Sequence, residues 1–348
     1  MGCLRIVVTV VEAPVAQHWT ERPEGGGWFA IWLIRTIGLK FGRRVARSIL
    51  YPITLYFFFR RPFERRISYQ FLAHASGKPA SALQVMRHIH RFASTILDRV
   101  FLLADSFARF DVRIHGLDAL TSRVRSGKGV LLLGSHVGSF EVLRVAATKT
   151  PDIKVRVVYD QQQTPALTQL LDAINPTFRQ TVIDASGSGS DIVLALAEAI
   201  GQGQVATLLA DRARPQEKTE TVDFLGAPAA FPVAPFRIAA VLKCPILLCF
   251  GMYRGGNRYD LYFELFAERL ELPRRGAGSE LRDAVQRYVT RVEHHVRQDP
   301  YNWFNWYDIW NLPSTNDHVT QGDDETLLSS ARAVRPCYGA LRESTGKL

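Results

Sequence analysis

From residue 110 onward the sequence alternates short runs rich in Val, Ile and Leu with stretches whose apolar residues recur every three or four positions. The runs DVRIHG, GVLLLGS, KVRVVYD, TVIDA, QVATLLAD, PILLCFGMYR and YDLYFELFAE have the length of strands, and helical patterns lie near 139–149, 164–175, 190–201, 234–243 and 278–298. A strand that is followed by a helix returns the chain to the same end of a sheet. The alternation therefore predicts an α/β fold, a mostly parallel mixed sheet flanked by helices, with the last two runs able to pair as an antiparallel hairpin across RGGN. There is no fixed-period repeat. With 348 residues, 47% of them hydrophobic and 22% charged, the chain can bury a substantial core, which excludes a wholly disordered protein.

Before this region the pattern is different. Residues 67–106 read as helical, with Leu83, Met86, Ile89, Phe92, Ile96, Val100 and Leu103 at helical spacing. His88 and His90 are two apart and point in different directions on a helix, so a solvated or phosphate-facing side is expected for them and Arg91. Residues 25–66 hold two apolar runs punctuated by Arg35, Lys40, Arg43, Arg44, Arg47, Arg60, Arg61, Arg65 and Arg66, with Glu64 the only acid. Neither run reaches the roughly 18 to 20 uninterrupted apolar residues of a spanning helix. Trp28, Trp32, Tyr51 and Tyr56 favour the headgroup level and arginines pair with lipid phosphates, so these helices are expected to lie in or dip into an anionic membrane surface, with Pro52 bending the second. Core helices with outward-snorkelling arginines, and one long tilted spanning helix, are the alternatives. The expected organisation is a poorly assigned extension over 1–17, membrane-associating helices over 18–66, an α/β domain with its helical lead-in over 67–312, and a loose tail over 313–348.

Lys and Arg exceed Asp and Glu by 43 to 33, a net charge of +10 that suits nucleic acid, an anionic membrane or an acidic carrier. The basic residues concentrate among apolar ones near the start and no reader motif follows, so nucleic acid is not expected as a partner. Cys3, Cys244, Cys249 and Cys337 form neither a CxxC pair nor zinc-ligand spacing, which fits a reducing compartment and no metal. Ile6 departs from the myristoylation pattern, and Cys3 lies too near the start to follow a signal segment.

The chemistry concentrates in KGVLLLGSHVGSFEVLR, residues 128–144. In an open α/β sheet, ligands bind beyond the carboxyl ends of the strands, and His136 stands at such an end. Gly134-Ser-His-Val-Gly138 has the spacing of a nucleophile elbow with histidine in the place of serine, so a displayed base is expected rather than a serine acyl-enzyme. Five residues on a regular helix turn through roughly 500°, leaving His136 and Glu141 about 140° apart. The pair can meet only at a helix entrance, with Glu141 holding one ring nitrogen while the other takes a proton from a substrate. The same residues also fit a strand-end histidine and an exposed Glu141–Arg144 pair.

SHVGSFE resembles the HxxxxD/E signature of the lysophospholipid acyltransferase superfamily, in the glutamate form of the late lipid A acyltransferases. LLADRARP, VDFLGAPAAFPVAPFRIAA and PYNWFNWYDIW are similar to later blocks in the same order, and HWTERPEGGGWFAIWLIRTIG resembles the start of a bacterial acyltransferase branch of that group; together they cover about residues 18–312. The resemblance implies transfer of an acyl group from an acyl carrier protein or coenzyme A thioester to a hydroxyl or amine of a lipid or glycolipid acceptor, without a covalent acyl-enzyme or a cofactor, at the cytoplasmic face of a bacterial inner membrane. It implies His136 as the base with Glu141 orienting it. Backbone N–H groups at the helix start near Gly138 and Ser139 would form the oxyanion site, Ser135 would contact substrate, Arg212 would meet a phosphate with Asp211 either orienting it or making an ordinary strand-end ion pair, and Phe224, Leu225, Gly226, Phe231 and Pro232 would line a groove. Pro232 and Pro235 are expected to restrict their stretch to loop and helix start. Trp303, Trp306 and Trp310 share one face at helical spacing, which favours a core role. The loop ASGSGSD lacks a P-loop pattern and needs only a helix N-cap. A catalytically silent membrane or carrier-binding module of the same fold is the alternative function.

Overall fold

The computed structural model describes residues 27–310, apart from 105, 144, 147–149, 151–152, 160–180, 215–216 and 274–277. The expectations for 1–17, for a helix at 164–175, for the tail and for a Glu141–Arg144 pair lie outside the described residues.

Strands β1 (Asp111–His115), β2 (Val130–Gly138), β3 (Val155–Tyr159), β4 (Val182–Asp184), β5 (Val205–Leu209), β8 (Ile246–Gly255) and β9 (Arg258–Ala267) form one sheet in the order β1-β9-β8-β2-β5-β3-β4. The β8–β9 pair is antiparallel and the other pairs are parallel. This is the mixed sheet and terminal hairpin that the sequence predicts. The apolar run at β2 has a physical cause. Its side chains alternate across a sheet covered on both sides, so Leu131 and Leu133 enter one core while Val130 and Leu132 enter the other.

The flanking helices are α1 (Gly27–Arg60), α2 (Pro62–Ser76), α3 (Ala82–Leu103), α4 (Leu117–Arg125), α5 (Gly189–Gly201), α6 (Ala234–Leu242) and α7 (Gly278–Gln298). Helix α3 begins with a capping box, Ser81 Oγ accepting from Gln84 N–H while the Gln84 side chain accepts from Ser81 N–H. Ser188 and Asp191 form a second box at α5, which is the role that ASGSGSD plays. Helix α1 is broken at Gly42, whose backbone (φ 82, ψ 166) is not helical. Pro52 lies within the helix beyond that break. Arg43 ties α1 to the sheet. Its Nε and a terminal nitrogen each donate to Asp98 at 2.7 Å, and Tyr259 donates its hydroxyl to the same buried carboxylate at 2.9 Å. No described helix is long and apolar enough to cross a membrane.

Three expectations are corrected. The stretch around Pro232 is a strand rather than a loop: β6 (Thr219–Phe224) and β7 (Ala227–Pro232) form a separate antiparallel hairpin, in which Pro228 and Pro232 are tolerated because a two-stranded ribbon has outer edges that need no donor. His88 is not on a solvated side. It is buried, held between Ser68 Oγ at 2.8 Å and the Trp303 carbonyl at 2.9 Å, whereas Leu83 is exposed. Residues 303–310 are not a helix: after a short 3-10 turn at Pro300–Asn302 the chain is irregular, and Trp303 pairs with Val137 as an antiparallel bridge.

Candidate active site

Sheet register builds the site. In the parallel β2–β5 pairing Val130 faces Val205 and Gly134 faces Leu209, and Ala210 N–H continues the ladder to the Gly134 carbonyl at 3.0 Å. Two residues beyond Gly134 is His136; two beyond Leu209 is Asp211. They meet across the strand ends. Asp211 Oδ1 is 2.7 Å from His136 Nδ1, and Oδ2 accepts the His136 backbone N–H at 2.7 Å. From the other side, Phe304 N–H donates to the His136 carbonyl at 2.8 Å. The backbone that displays the ring is therefore clamped on both flanks.

Electrostatics fixes the tautomer. Burial, the largest influence on Asp211, would raise its pKa, but His136 and Arg212 outweigh it and hold the carboxyl below its ordinary value of 3.8. An ionised carboxylate only accepts, so Nδ1 carries the proton and Nε2 keeps a lone pair. Burial and the Arg212 guanidinium push the imidazole below 6.5 against the pull of Asp211, so the ring is neutral at pH 7. No described residue hydrogen-bonds Nε2, and 26% of the His136 side chain is exposed. The arrangement is a neutral imidazole, oriented from behind by a buried anion, with its basic nitrogen outward.

Glu141 is placed elsewhere. After β2 the chain makes a short 3-10 turn at Phe140–Val142 that leads into helical residues 143, 145 and 146, and the Glu141 carboxylate accepts Ser139 Oγ–H at 2.8 Å and pairs with Arg99 of α3 at 2.6 Å. The ring nitrogen assigned to Glu141 from spacing is occupied by Asp211. Asp211, expected to orient Arg212, instead takes the histidine. Gly138 is required by a close crossing: its φ is +75°, and a Cβ there would stand 1.9 Å from the Gly251 carbonyl oxygen. Ser139 N–H donates to that oxygen at 2.8 Å, so it is not available to an oxyanion.

The remaining expected site residues divide. Arg212 lies beside the pair, with Nε donating to Asn305 Oδ1 at 3.1 Å and its guanidinium over the Tyr307 ring. Ser135 is buried. Phe224 and Pro232 are also buried, and Phe224 packs edge-on against Trp303 with ring centroids 5.0 Å apart, so both present packing rather than an open groove wall. Gly226 lies at the exposed tip of the β6–β7 hairpin (φ 82). Three groups were not assigned to the site from sequence: Trp303, whose indole Nε1–H donates to Asp211 Oδ2 at 3.1 Å; Arg99; and Asn302, whose side chain holds Tyr253 N–H at 2.8 Å. The aromatic-polar block PYNWFNW hinted at Trp303 and Asn302, and no sequence signal pointed to Arg99. Among the described residues no cluster could hold a metal ion.

The family model described as bacterial lipid A biosynthesis acyltransferase matches residues 28–310. The chain belongs to this family. The match runs from α1 through the sheet to Trp310, so the strap after α7 that contacts His136 and Asp211 lies within the lipid A acyltransferase unit. Comparison with curated proteins gives no match. Family membership makes the protein an acyltransferase of the lipid A type that acts on a lipid acceptor.

Proposed function

We propose that this lipid A-type acyltransferase moves a fatty acyl group from an acyl carrier protein or coenzyme A thioester to a hydroxyl or amine of a lipid-like acceptor. One observation carries the reading: His136 Nδ1 is 2.7 Å from the buried Asp211 carboxylate while Nε2 has no partner among the described residues. Nε2 removes the acceptor proton, the acceptor oxygen or nitrogen attacks the thioester carbonyl, and a tetrahedral oxyanion forms. Collapse of that intermediate breaks the carbon–sulfur bond, and the proton on Nε2 goes to the departing thiolate. Asp211 keeps the imidazole in the working tautomer and stabilises the imidazolium, the role that the HxxxxE spacing suggests for Glu141. Glu141 shapes the turn through Ser139 and Arg99. Arg212, beside the pair, meets a donor or acceptor phosphate.

The acceptor is reached at a bilayer surface. On α1, Phe41, Val45, Leu55, Tyr56 and Phe59 are exposed, and exposed Lys40, Arg44 and Arg60 accompany them. Arg43, Ala46, Leu50 and Thr54 turn toward the domain. An aromatic and basic face of this kind favours the headgroup zone of an anionic membrane, here the cytoplasmic leaflet of the inner membrane, without spanning it.

The test compares lipids by mass spectrometry from cells that carry the gene, lack it, or carry His136→Ala. A species that loses one acyl group in both the deletion and the variant is expected. Identical lipid profiles in all three strains, with the protein folded and at the membrane, would leave a silent binding module instead.

A further inference from the structure

We infer that Trp303 is a positioning residue for the His136–Asp211 pair, acting through its indole N–H on the carboxylate oxygen that does not face the imidazole. The inference rests on the acyl-transfer reading for its consequence but not for its geometry. Asp211 Oδ2 takes two donors, the His136 backbone N–H at 2.7 Å and Trp303 Nε1–H at 3.1 Å. With Oδ2 saturated from two directions, the carboxylate plane is fixed and Oδ1 alone is left for Nδ1. An indole N–H also draws charge from the carboxylate, which lowers its proton affinity and weakens its hold on the imidazolium.

Trp303 is itself held as a lever would be. Its backbone bridges Val137, the next residue donates to the His136 carbonyl, and its own carbonyl accepts from His88 Nε2 at 2.9 Å. Because Nε2 donates, His88 Nδ1 accepts from Ser68 Oγ–H at 2.8 Å. Burial pushes the His88 pKa down to about 4, so this ring stays neutral and keeps that polarity at working pH. Asn305 Nδ2 and the Tyr307 hydroxyl donate to the Asp211 main-chain carbonyl at 3.3 and 3.2 Å. One short strap therefore grips both the side chain and the backbone of Asp211. A tryptophan that served only to fill the core would need none of this polar geometry.

The experiment reads the base without any substrate. Diethyl pyrocarbonate modifies neutral imidazole, and the rate at the peptide bearing His136, followed by mass spectrometry against pH in the full-length protein, reports its titration. The ionisable groups around the pair are Asp211, Arg212, Arg99 with Glu141, Tyr288 and Tyr307; none of them is altered. In Trp303→Phe the more basic carboxylate should raise the His136 titration, making modification at pH 6 about threefold slower, with kcat for acyl transfer down about ten- to hundredfold and KM little changed. Replacing Trp303 by its benzothienyl isostere, which keeps the shape and lacks the N–H, should do the same and covers the case in which Trp303→Phe fails to fold. A wild-type titration in the folded isostere overturns the inference. A shifted titration with no acyl transfer by any form would leave the positioning role standing and remove the acyltransferase reading.

Discussion

His136 and Asp211 each stand two residues past the last paired position of neighbouring parallel strands, and two contacts of 2.7 Å join them, one to the ring and one to the backbone. Asp211→Asn removes the anion that selects the tautomer, because an amide can donate to Nδ1 and turn the proton to Nε2. Loss of about a thousandfold or more in kcat is expected, with the fold retained. Glu141→Gln acts only on the turn, and its loss should be far smaller and match that of Arg99→Gln. Steady-state rates of the three variants decide the order; a Glu141→Gln loss equal to that of Asp211→Asn would return the orienting role to Glu141.

Buried His88 makes stability depend on pH. Its pKa is about 4 in the folded protein against 6.5 when exposed, so the unfolded chain binds the extra proton between these values. Stability is then full above pH 6.5, declines as pH falls toward 4, and drops by about 2 kcal/mol between pH 7 and pH 5 from this group alone. Urea unfolding of wild type and His88→Gln at both pH values checks it. The variant should lose less on acidification, since glutamine can keep a donor to Trp303 and an acceptor for Ser68 without titrating.

Two glycines let β2 and β8 cross at the site. A Cβ on Gly138 would overlap the Gly251 carbonyl, and one on Gly251 would stand 2.2 Å from the Ser139 carbonyl oxygen. Gly138→Ala should lower stability by about 3 kcal/mol or more, since it adds a clash to an unfavourable φ. Urea midpoints of Gly138→Ala and of Gly127→Ala, a left-handed glycine with open space around it, separate the clash from the backbone term.

The exposed face of α1 predicts vesicle binding. Phe41→Ser, Tyr56→Ser and Phe59→Ser together should weaken flotation with anionic vesicles about a hundredfold while leaving the melting temperature unchanged, because all three side chains are exposed in the folded domain. Undiminished flotation would place the contact on another surface.

Local patterns carried much of the fold and part of the site. The apolar run at Val130–Leu133, the hairpin across RGGN and the helical period of 278–298 each report burial through their own neighbours, so they can be read without knowing what packs on them. Partner choice across the sheet cannot be read this way. That Asp211 rather than Glu141 meets His136 follows from β5 lying beside β2 in the strand order, which no spacing encodes. His88 misleads for a similar reason: its type is usually partly exposed, and its partner lies 215 residues away. The prolines of β7 suggest a loop until the hairpin is found to be two-stranded, with edges that need no N–H at those positions.

The strap that carries Trp303 follows every strand of the sheet, so a chain emerging from the ribosome displays its histidine long before the indole and Asn305 arrive to seat it. A polypeptide broken off before Trp303 would keep the neighbouring strand ends that carry His136 and Asp211 yet lack the strap that seats the carboxylate.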